Sequence, residues 1–421
     1  MARLSQSLVD ALNAGSPGWL AEQRLAGLAA FDRLPMPDPK DEVWRYVELD
    51  FDLAQADAPE VSGQPLPAGE VEAALPALAG RAVIVDGFLA SHEGSLGGGS
   101  WWGTANNAPD GHSRLGTGIP IDLDKFSAAS HAFFRDGVML RLERNQMVAE
   151  PLLVEVQVTT GVSFPRITVI LEDNAEASMV VSYRSADGTQ ALVVPQLEAW
   201  VGDGARLRLS TVQQWGDATR AITQQRMVVG ADASVHWADA GIGSRFSRTH
   251  FFLDLAGAGA DGKIDGVYFG DGEQVLDYRG FVDHAAPHTT SNMFLKGGVE
   301  QSAHSIFTGL IRIEEIAQKS NAYQINRNLV LSEGAGAESV PNLEILANDV
   351  KCGHGSSVGP LDEEIRYYLM SRGLDQVRAD RLAVRGFFEE AITRFPHPAL
   401  ASPLRAIVQR KYEAAQQAEM A

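Results

Sequence analysis

Four short turns recur along the middle of the chain at nearly constant spacing, and they restrict the fold more than any other feature. Asp173-Asn174-Ala175, Gly202-Asp203-Gly204-Ala205, Gly230-Ala231-Asp232-Ala233 and Gly257-Ala258-Gly259-Ala260 place alanines at 175, 205, 233 and 260, intervals of 30, 28 and 27 residues. Each turn leads into an alternating run such as Arg206-Leu207-Arg208-Leu209-Ser210 or Ser234-Val235-His236-Trp237. Alternation of this kind is what a strand with one buried face requires. From about residue 150 to 360 there is no helix-length periodicity. A repeat made only of strands cannot bury its inner face alone, but stacked copies bury it against one another, so a β-solenoid is expected. A β-sandwich is the rival, and its strands do not need turns at constant spacing.

The flanks read as helical. Leu4, Leu8, Val9 and Leu12 share one face before Gly15, and Ser16-Pro17 offers an N-cap and a first-turn proline for a second helix up to about 34. Trp44-Arg45-Tyr46, in an acidic and aromatic stretch, is expected to be a buried anchor. Residues 54–80 are rich in Ala, Pro and Gly and read as a linker. Strands begin at Ala82-Val83-Ile84-Val85, and the glycine-rich 94–107 segment with Trp101 and Trp102 reads as a surface loop. After Pro360, Asp362-Glu363-Glu364 opens a helix that ends at Arg372-Gly373, acids and base complementing its dipole. Further helices follow over about 376–395 and from Ser402-Pro403. The expected organisation is an N-terminal helical region with linker (1–80), a β-helix core (81–358) and a C-terminal helical domain (359–421). Because the ends of a solenoid expose backbone edges, the two helical flanks are expected to cover them.

Thirty-five basic residues against fifty-four acidic give a net charge of -19, which disfavours nucleic acid and anionic lipid as partners. The start, Met1-Ala2-Arg3-Leu4-Ser5, has no apolar signal core, and one cysteine cannot form an internal disulfide; both suit a reducing cytoplasm. Iron–sulfur clusters usually take about four ligands, mostly thiolates, so this chain cannot conventionally hold one unaided.

Most motif-like stretches do not survive inspection. Gly257–Gly262 is a literal GxGxxG, but Lys263-Ile264-Asp265-Gly266-Val267 after it is strand-like, whereas a dinucleotide site needs a helix there. No GxxxxGK[ST] is present, so no nucleotide is expected on this chain. His284 and His288 have helical metal-pair spacing with Pro287 between them, which argues against a helix; structural or interface roles are expected for them and for His304. The stretch that remains is Asn348-Asp349-Val350-Lys351-Cys352-Gly353-His354-Gly355-Ser356-Ser357-Val358-Gly359. If residues 346–352 are extended, Cys352 and His354 share a face about 6.6 Å apart along the strand and Lys351 faces the other way. A thiolate beside an imidazole is a soft-metal or sulfur-handling pair. The alternative is an inert packed thiol.

Asp349-Val350-Lys351-Cys352-Gly353-His354-Gly355, Val358-Gly359 and Tyr368-Leu369-Met370-Ser371-Arg372-Gly373 also carry a resemblance, to the SufD-type subunits of the SufB/SufD family of the SUF iron–sulfur assembly system. Asp41-Glu42-Val43-Trp44-Arg45-Tyr46, Phe133-Phe134-Arg135-Asp136-Gly137-Val138, Lys296-Gly297-Gly298-Val299, Phe307-Thr308-Gly309, Ala317-Gln318-Lys319, Asn328-Leu329-Val330-Leu331-Ser332 and Pro341-Asn342-Leu343-Glu344-Ile345 follow in family order. Ser356-Ser357 and Met370 depart from the usual pattern without touching the Cys-Gly-His triplet. SufB resembles the chain in its solenoid but is usually longer and richer in cysteine, so the single thiol favours the SufD type. The resemblance implies a right-handed parallel β-helix flanked by helical domains, and a scaffold subunit with no catalytic centre of its own. It implies pairing with SufB through the solenoids, or with a second copy when isolated, and docking of the ATPase SufC on the C-terminal helices. It also implies that Cys352 and His354 lie at the SufB interface as ligands for transient iron or a nascent iron–sulfur cluster. ATP-driven movement of the helical regions would then open that interface.

Overall fold

The computed structural model describes residues 1–108 and 114–419. Strands from Gly80–Val85 to Lys351–Gly359 wind into two stacked sheets of ten and eleven strands, and neighbouring strands pair in parallel except for one antiparallel pair at the N-terminal end of each sheet. In the first sheet Glu176, Arg206, Ser234, Asp261, Thr290, Asn321 and Lys351 lie in register one above the next, so a coil takes 27 to 31 residues. The second sheet stacks Phe246, Val275, His304 and Gly336 in the same way. The chain is a parallel β-helix, and the sandwich is excluded.

The recurring alanine has a steric cause. Ala175, Ala205, Ala233 and Ala260 are all buried inside one corner of the coil. The residue before each is left-handed: Asn174 (φ 57°), Gly204 (69°), Asp232 (53°) and Gly259 (75°). Such backbone suits Gly, Asn and Asp, which is why the repeat is visible there. The next two corners take the same conformation at His288 (φ 61°) and Lys319 (65°), followed by Thr289 and Ser320, and the signature fades. Gly257–Gly262 is one of these corners and leads into the strand Asp261–Gly270.

Between the sheets lies an apolar lumen with Trp237 edge-on to Phe251 (4.7 Å) and Tyr268 stacked on Tyr278 (4.5 Å). Glycines make room for these rings: a Cβ on Gly297 would sit 2.0 Å from the Tyr268 ring.

Helices α1 (Gln6–Asn13), α2 (Gly18–Arg33) and α3 (Glu70–Ala74) precede the strands, α4 (Lys125–Phe133) interrupts them, and α5 (Glu363–Ser371), α6 (Gln376–Ile392) and α7 (Ala401–Glu419) follow. α2 crosses α4 closely at Gly27, where a Cβ would meet the Ala132 amide at 2.5 Å. Pro17, not Ser16, stands at the cap of α2; the Ser16 hydroxyl donates back to the Leu12 carbonyl (2.7 Å). Of the expected Trp44-Arg45-Tyr46 anchor only Trp44 is buried, beneath the guanidinium of Arg248 at 3.6 Å, while Arg45 and Tyr46 are exposed; Arg248 also donates to the Val43 carbonyl (2.6 Å).

Two expectations fail. The 94–107 segment is not simply a surface loop: Trp101–Thr104 is a strand antiparallel to Gly137–Leu142, and buried Trp102 donates from Nε1 to the Glu93 carbonyl (2.9 Å). Nor do the helical flanks cap the solenoid. At the N-terminal end each sheet instead finishes in a short antiparallel strand, Phe88–Glu93 on one and Trp101–Thr104 on the other. α6 and α7 instead lie along the outer face of the first sheet, where Phe388, Ile392, Phe395 and Leu404 bury against residues such as Val212, Val267 and Phe269. An apolar stripe on the outer face of a sheet must be covered somewhere, and here helices do it. The C-terminal end keeps both its edges.

Candidate functional site

That uncovered end is where the sequence placed its candidate. The last coil consists of Gly336–Ile345 and Lys351–Gly359, each the terminal strand of its sheet. Along Lys351–Gly359 the pairing is Cys352 with Ala322, His354 with Gln324, Ser356 with Asn326 and Val358 with Asn328. Ala322, Gln324, Asn326 and Asn328 are buried, so these four side chains point to the lumen side of the mouth. Cys352 is half-buried and packs on the lumen cluster, while His354 is exposed. The structure therefore brings both predicted residues to one face of one edge strand, which runs over Lys351–Gly359 and not over 346–352 as expected, residues 346–350 forming the turn before it.

The backbone adds to this. In a parallel strand successive residues address opposite neighbours. The Lys351 amide bonds back to Ser320 (2.9 Å), so the amides and carbonyls of Cys352, His354, Ser356 and Val358 face outward. Gly336 bonds back to Ala303 (3.0 Å), so on the companion edge Ala337, Ser339, Pro341, Leu343 and Ile345 face outward. Pro341 has no N–H to offer, which puts the proline where it costs no coil bond and leaves a gap in that edge. The Lys351–Gly359 edge is uninterrupted.

Beneath the mouth the lumen turns polar, which the sequence reading did not anticipate. Tyr268 Oη donates to Asn328 Oδ1 (2.7 Å) and accepts from Asn326 Nδ2 (2.9 Å). Asn328 Nδ2 (2.6 Å) and Ser339 Oγ (2.8 Å) both donate to Asn326 Oδ1. Gln324 Nε2 donates to the Asn342 carbonyl (2.9 Å). These amides hold the last two coils in register under His354 and Ser356. Asn326 and Asn328 alternate on one strand, a pattern that marks two lumen-facing polar positions once the strand's inner face is known.

His284, His288 and His304 do not join this pair. His284 is buried between Thr289 Oγ1 (2.7 Å) and Ser291 Oγ (2.8 Å), and burial lowers its pKa to about 4. His288 is a corner residue and His304 pairs with Glu338 on the outer surface. Among the described residues no three His, Cys, Asp or Glu side chains converge as a metal site, so Cys352 and His354 are a two-donor set within the single chain.

Beyond the mouth the strand continues into α5, whose N-terminus Asp362 caps by accepting from Glu364 (2.8 Å). None of its residues is buried, and Ile365, Tyr367, Tyr368 and Met370 are exposed, Tyr367 by 76%. Exposed large apolar groups grouped on one helix mark a contact surface.

A β-helix of this coil length with a Cys-Gly-His terminal strand can be compared with known families. The profile described as "SUF system FeS cluster assembly, SufBD core domain" matches residues 154–387, more than half the chain. The chain belongs to this SufBD family. An "Iron-sulfur cluster assembly SufBD family protein" of Mycobacterium tuberculosis is 34% identical over 322 residues, 73% of this chain and 79% of the relative. "Iron-sulfur cluster assembly protein SufD" of Bacillus subtilis is 29% identical, covering 70% of this chain and 68% of its own. The Escherichia coli protein of the same name is 25% identical, covering 88% and 87%. The SufBD match spans the coils from Val154 onward, the whole of the last coil and α5, and reaches into α6. No helix of the described residues is long and apolar enough to cross a membrane.

Proposed function

We propose that this SufBD-family chain is a non-catalytic scaffold subunit that helps assemble iron–sulfur clusters in the cytoplasm, with SufB as its partner at the open end and the ATPase SufC on α5. The observation that carries the reading is the coincidence of three things on one strand: an unpaired backbone edge, the Cys352 thiol and the His354 imidazole. A second solenoid end can extend the sheet across that edge by strand addition, and it would then supply the further ligands that two donors lack. Cluster iron and sulfide are cargo here. A thiolate with an imidazole suits iron and iron–sulfur species better than magnesium or calcium. When Cys352 binds iron its thiol proton must leave, and His354 on the same face is the acceptor nearest in sequence. The exposed apolar side chains of α5 give SufC a surface without disturbing the coils.

The test is His354→Ala in the co-purified complex, reconstituted anaerobically and followed by absorption. The variant should assemble with its partners and form substantially less cluster. A full cluster yield would count against the ligand role. The packing of Cys352 on the lumen cluster favours a second reading, in which the chain only stabilises SufB and positions SufC. Thiol labelling with and without ATP separates the two, because a purely structural thiol should stay equally unreactive in both states.

A further inference from the structure

We infer that the cavity between the short turn Glu42–Trp44 and the outer face of the second sheet binds a small organic anion, with its carboxylate or phosphate on Arg279 and its apolar body on Phe281 and Leu310. The cavity measures about 290 Å³, at the lower end of the range for small-molecule sites. Its floor is set by the stacking of the coils. Arg279 pairs with Thr308 and Thr308 with Val340, while Phe281 pairs with Leu310 and Leu310 with Asn342, so two outward rows run side by side to the last coil. Phe281 is itself fixed by stacking on Phe252 at 5.3 Å. The site stands apart from Cys352 and His354, which lie on the other sheet.

Arg279 is the residue that points to a ligand. It is only 3% exposed, yet its sole hydrogen bond among the described residues is a long one from Nε to Asp277 Oδ2 (3.5 Å). That oxygen already accepts from Arg248 Nη1 at 2.6 Å, so one carboxylate serves two guanidiniums. Arg248 has further acceptors in the Val43 carbonyl and His250 Nε2, both at 2.6 Å. Nη1 and Nη2 of Arg279 have none, and the residue forms part of the cavity wall. A buried guanidinium without a full partner is costly, and its paired N–H groups match the two oxygens of a carboxylate or phosphate. The surroundings do not make up the deficit. His250 is held neutral by burial and by the two arginines, and Asp124, the other carboxylate acting on Arg248, spends its oxygens on the Ser127 amide and Gln224. At the rim Arg45 adds positive charge, and Glu42, the one carboxylate lining the cavity, is exposed to water.

Benzoate and phenyl phosphate are the probes, titrated calorimetrically into the full chain, with inorganic phosphate and benzyl alcohol supplying the anion alone and the ring alone. One or both aromatic anions should bind in the millimolar range or tighter, and about tenfold more tightly than either control. The tighter of the two identifies the headgroup. Arg279→Lys keeps the charge but loses the fork and should weaken binding about tenfold. Leu310→Trp, at a half-buried position, should abolish binding by filling the cavity while the far-ultraviolet circular dichroism stays that of the parent chain; it carries the test if Arg279→Lys does not fold. Under saturating probe, hydrogen exchange should slow in peptides covering 42–46 and 308–310. The site is refuted if neither aromatic anion binds, if either control matches them, if a folded Arg279→Lys or Leu310→Trp chain binds like the parent, or if protection falls elsewhere.

Discussion

The two ends of the solenoid solve the same problem differently. At the N-terminal end the sheets finish in the short antiparallel strands Phe88–Glu93 and Trp101–Thr104, and at the C-terminal end in the longer parallel strands Gly336–Ile345 and Lys351–Gly359, with the chain's only cysteine on one of them. A strand edge is an aggregation hazard that natural proteins cover when it has no use. Short antiparallel strands, one with an irregular register, blunt the N-terminal edges in that way, whereas the long regular edges at the C-terminal end are the better template for a contact. The half-broken companion edge, with Pro341 facing out, limits indiscriminate pairing without closing the mouth.

Substitutions that compare well-packed coils with the last coil sharpen this contrast. The largest effect is expected for Phe388→Ala, which empties the centre of the helix–sheet seam against Phe269 and Gly298. It should cost about 3–5 kcal/mol in urea unfolding. The same truncation at exposed Val358 should stay within about 0.5 kcal/mol. A loss of similar size at both would mean that the last coil is packed like the rest.

The acid limb of stability should reflect the seam as well. Burial, with Arg208 and His236 nearby, lowers the His397 pKa to about 4. The folded state then refuses a proton that the unfolded chain accepts below about 6.5. Its contribution is whole above that pH and is lost as pH falls towards 4, a loss on the order of 3 kcal/mol. His397→Gln should flatten the pH dependence of unfolding over this window, and an unchanged slope would place the titration elsewhere.

Glycines give a smaller comparison on a single sheet. Gly297→Ala drives a Cβ to 2.0 Å from Tyr268 and 2.3 Å from Asn328, and overpacking of that kind costs about 1–3 kcal/mol. Gly355→Ala, two coils on in the same sheet, meets nothing nearer than Ile325 at 3.8 Å and should be neutral to within about 0.5 kcal/mol. Smallest in stability is Pro341→Ala, which restores an outward donor. It should leave the unfolding midpoint unchanged and raise self-association in sedimentation runs, and a wholly monomeric variant would deny that the edge pairs.

The solenoid was legible because its first corners demand left-handed backbone and use Asn174, Gly204, Asp232 and Gly259 to supply it. Later corners meet the same demand with His288 and Lys319, residues with no such signature, so the repeat vanishes from the sequence while persisting in space. The Cys-Gly-His spacing likewise gave the right face of the right strand, since period-two geometry is local. How the N-terminal end is finished was only partly legible, because Trp101–Thr104 comes from a glycine-rich segment that reads as loop. The placement of α6 and α7 was missed for a related reason: an amphipathic helix declares that it has an apolar face, not which sheet will cover it.

The account stands on the claim that the open end is a contact surface for another solenoid. The rate at which a small alkylating reagent modifies Cys352, read by mass spectrometry with and without SufB bound, tests this directly. The free chain should react and the bound chain should react at least tenfold more slowly. Equal rates in the two states would contradict it.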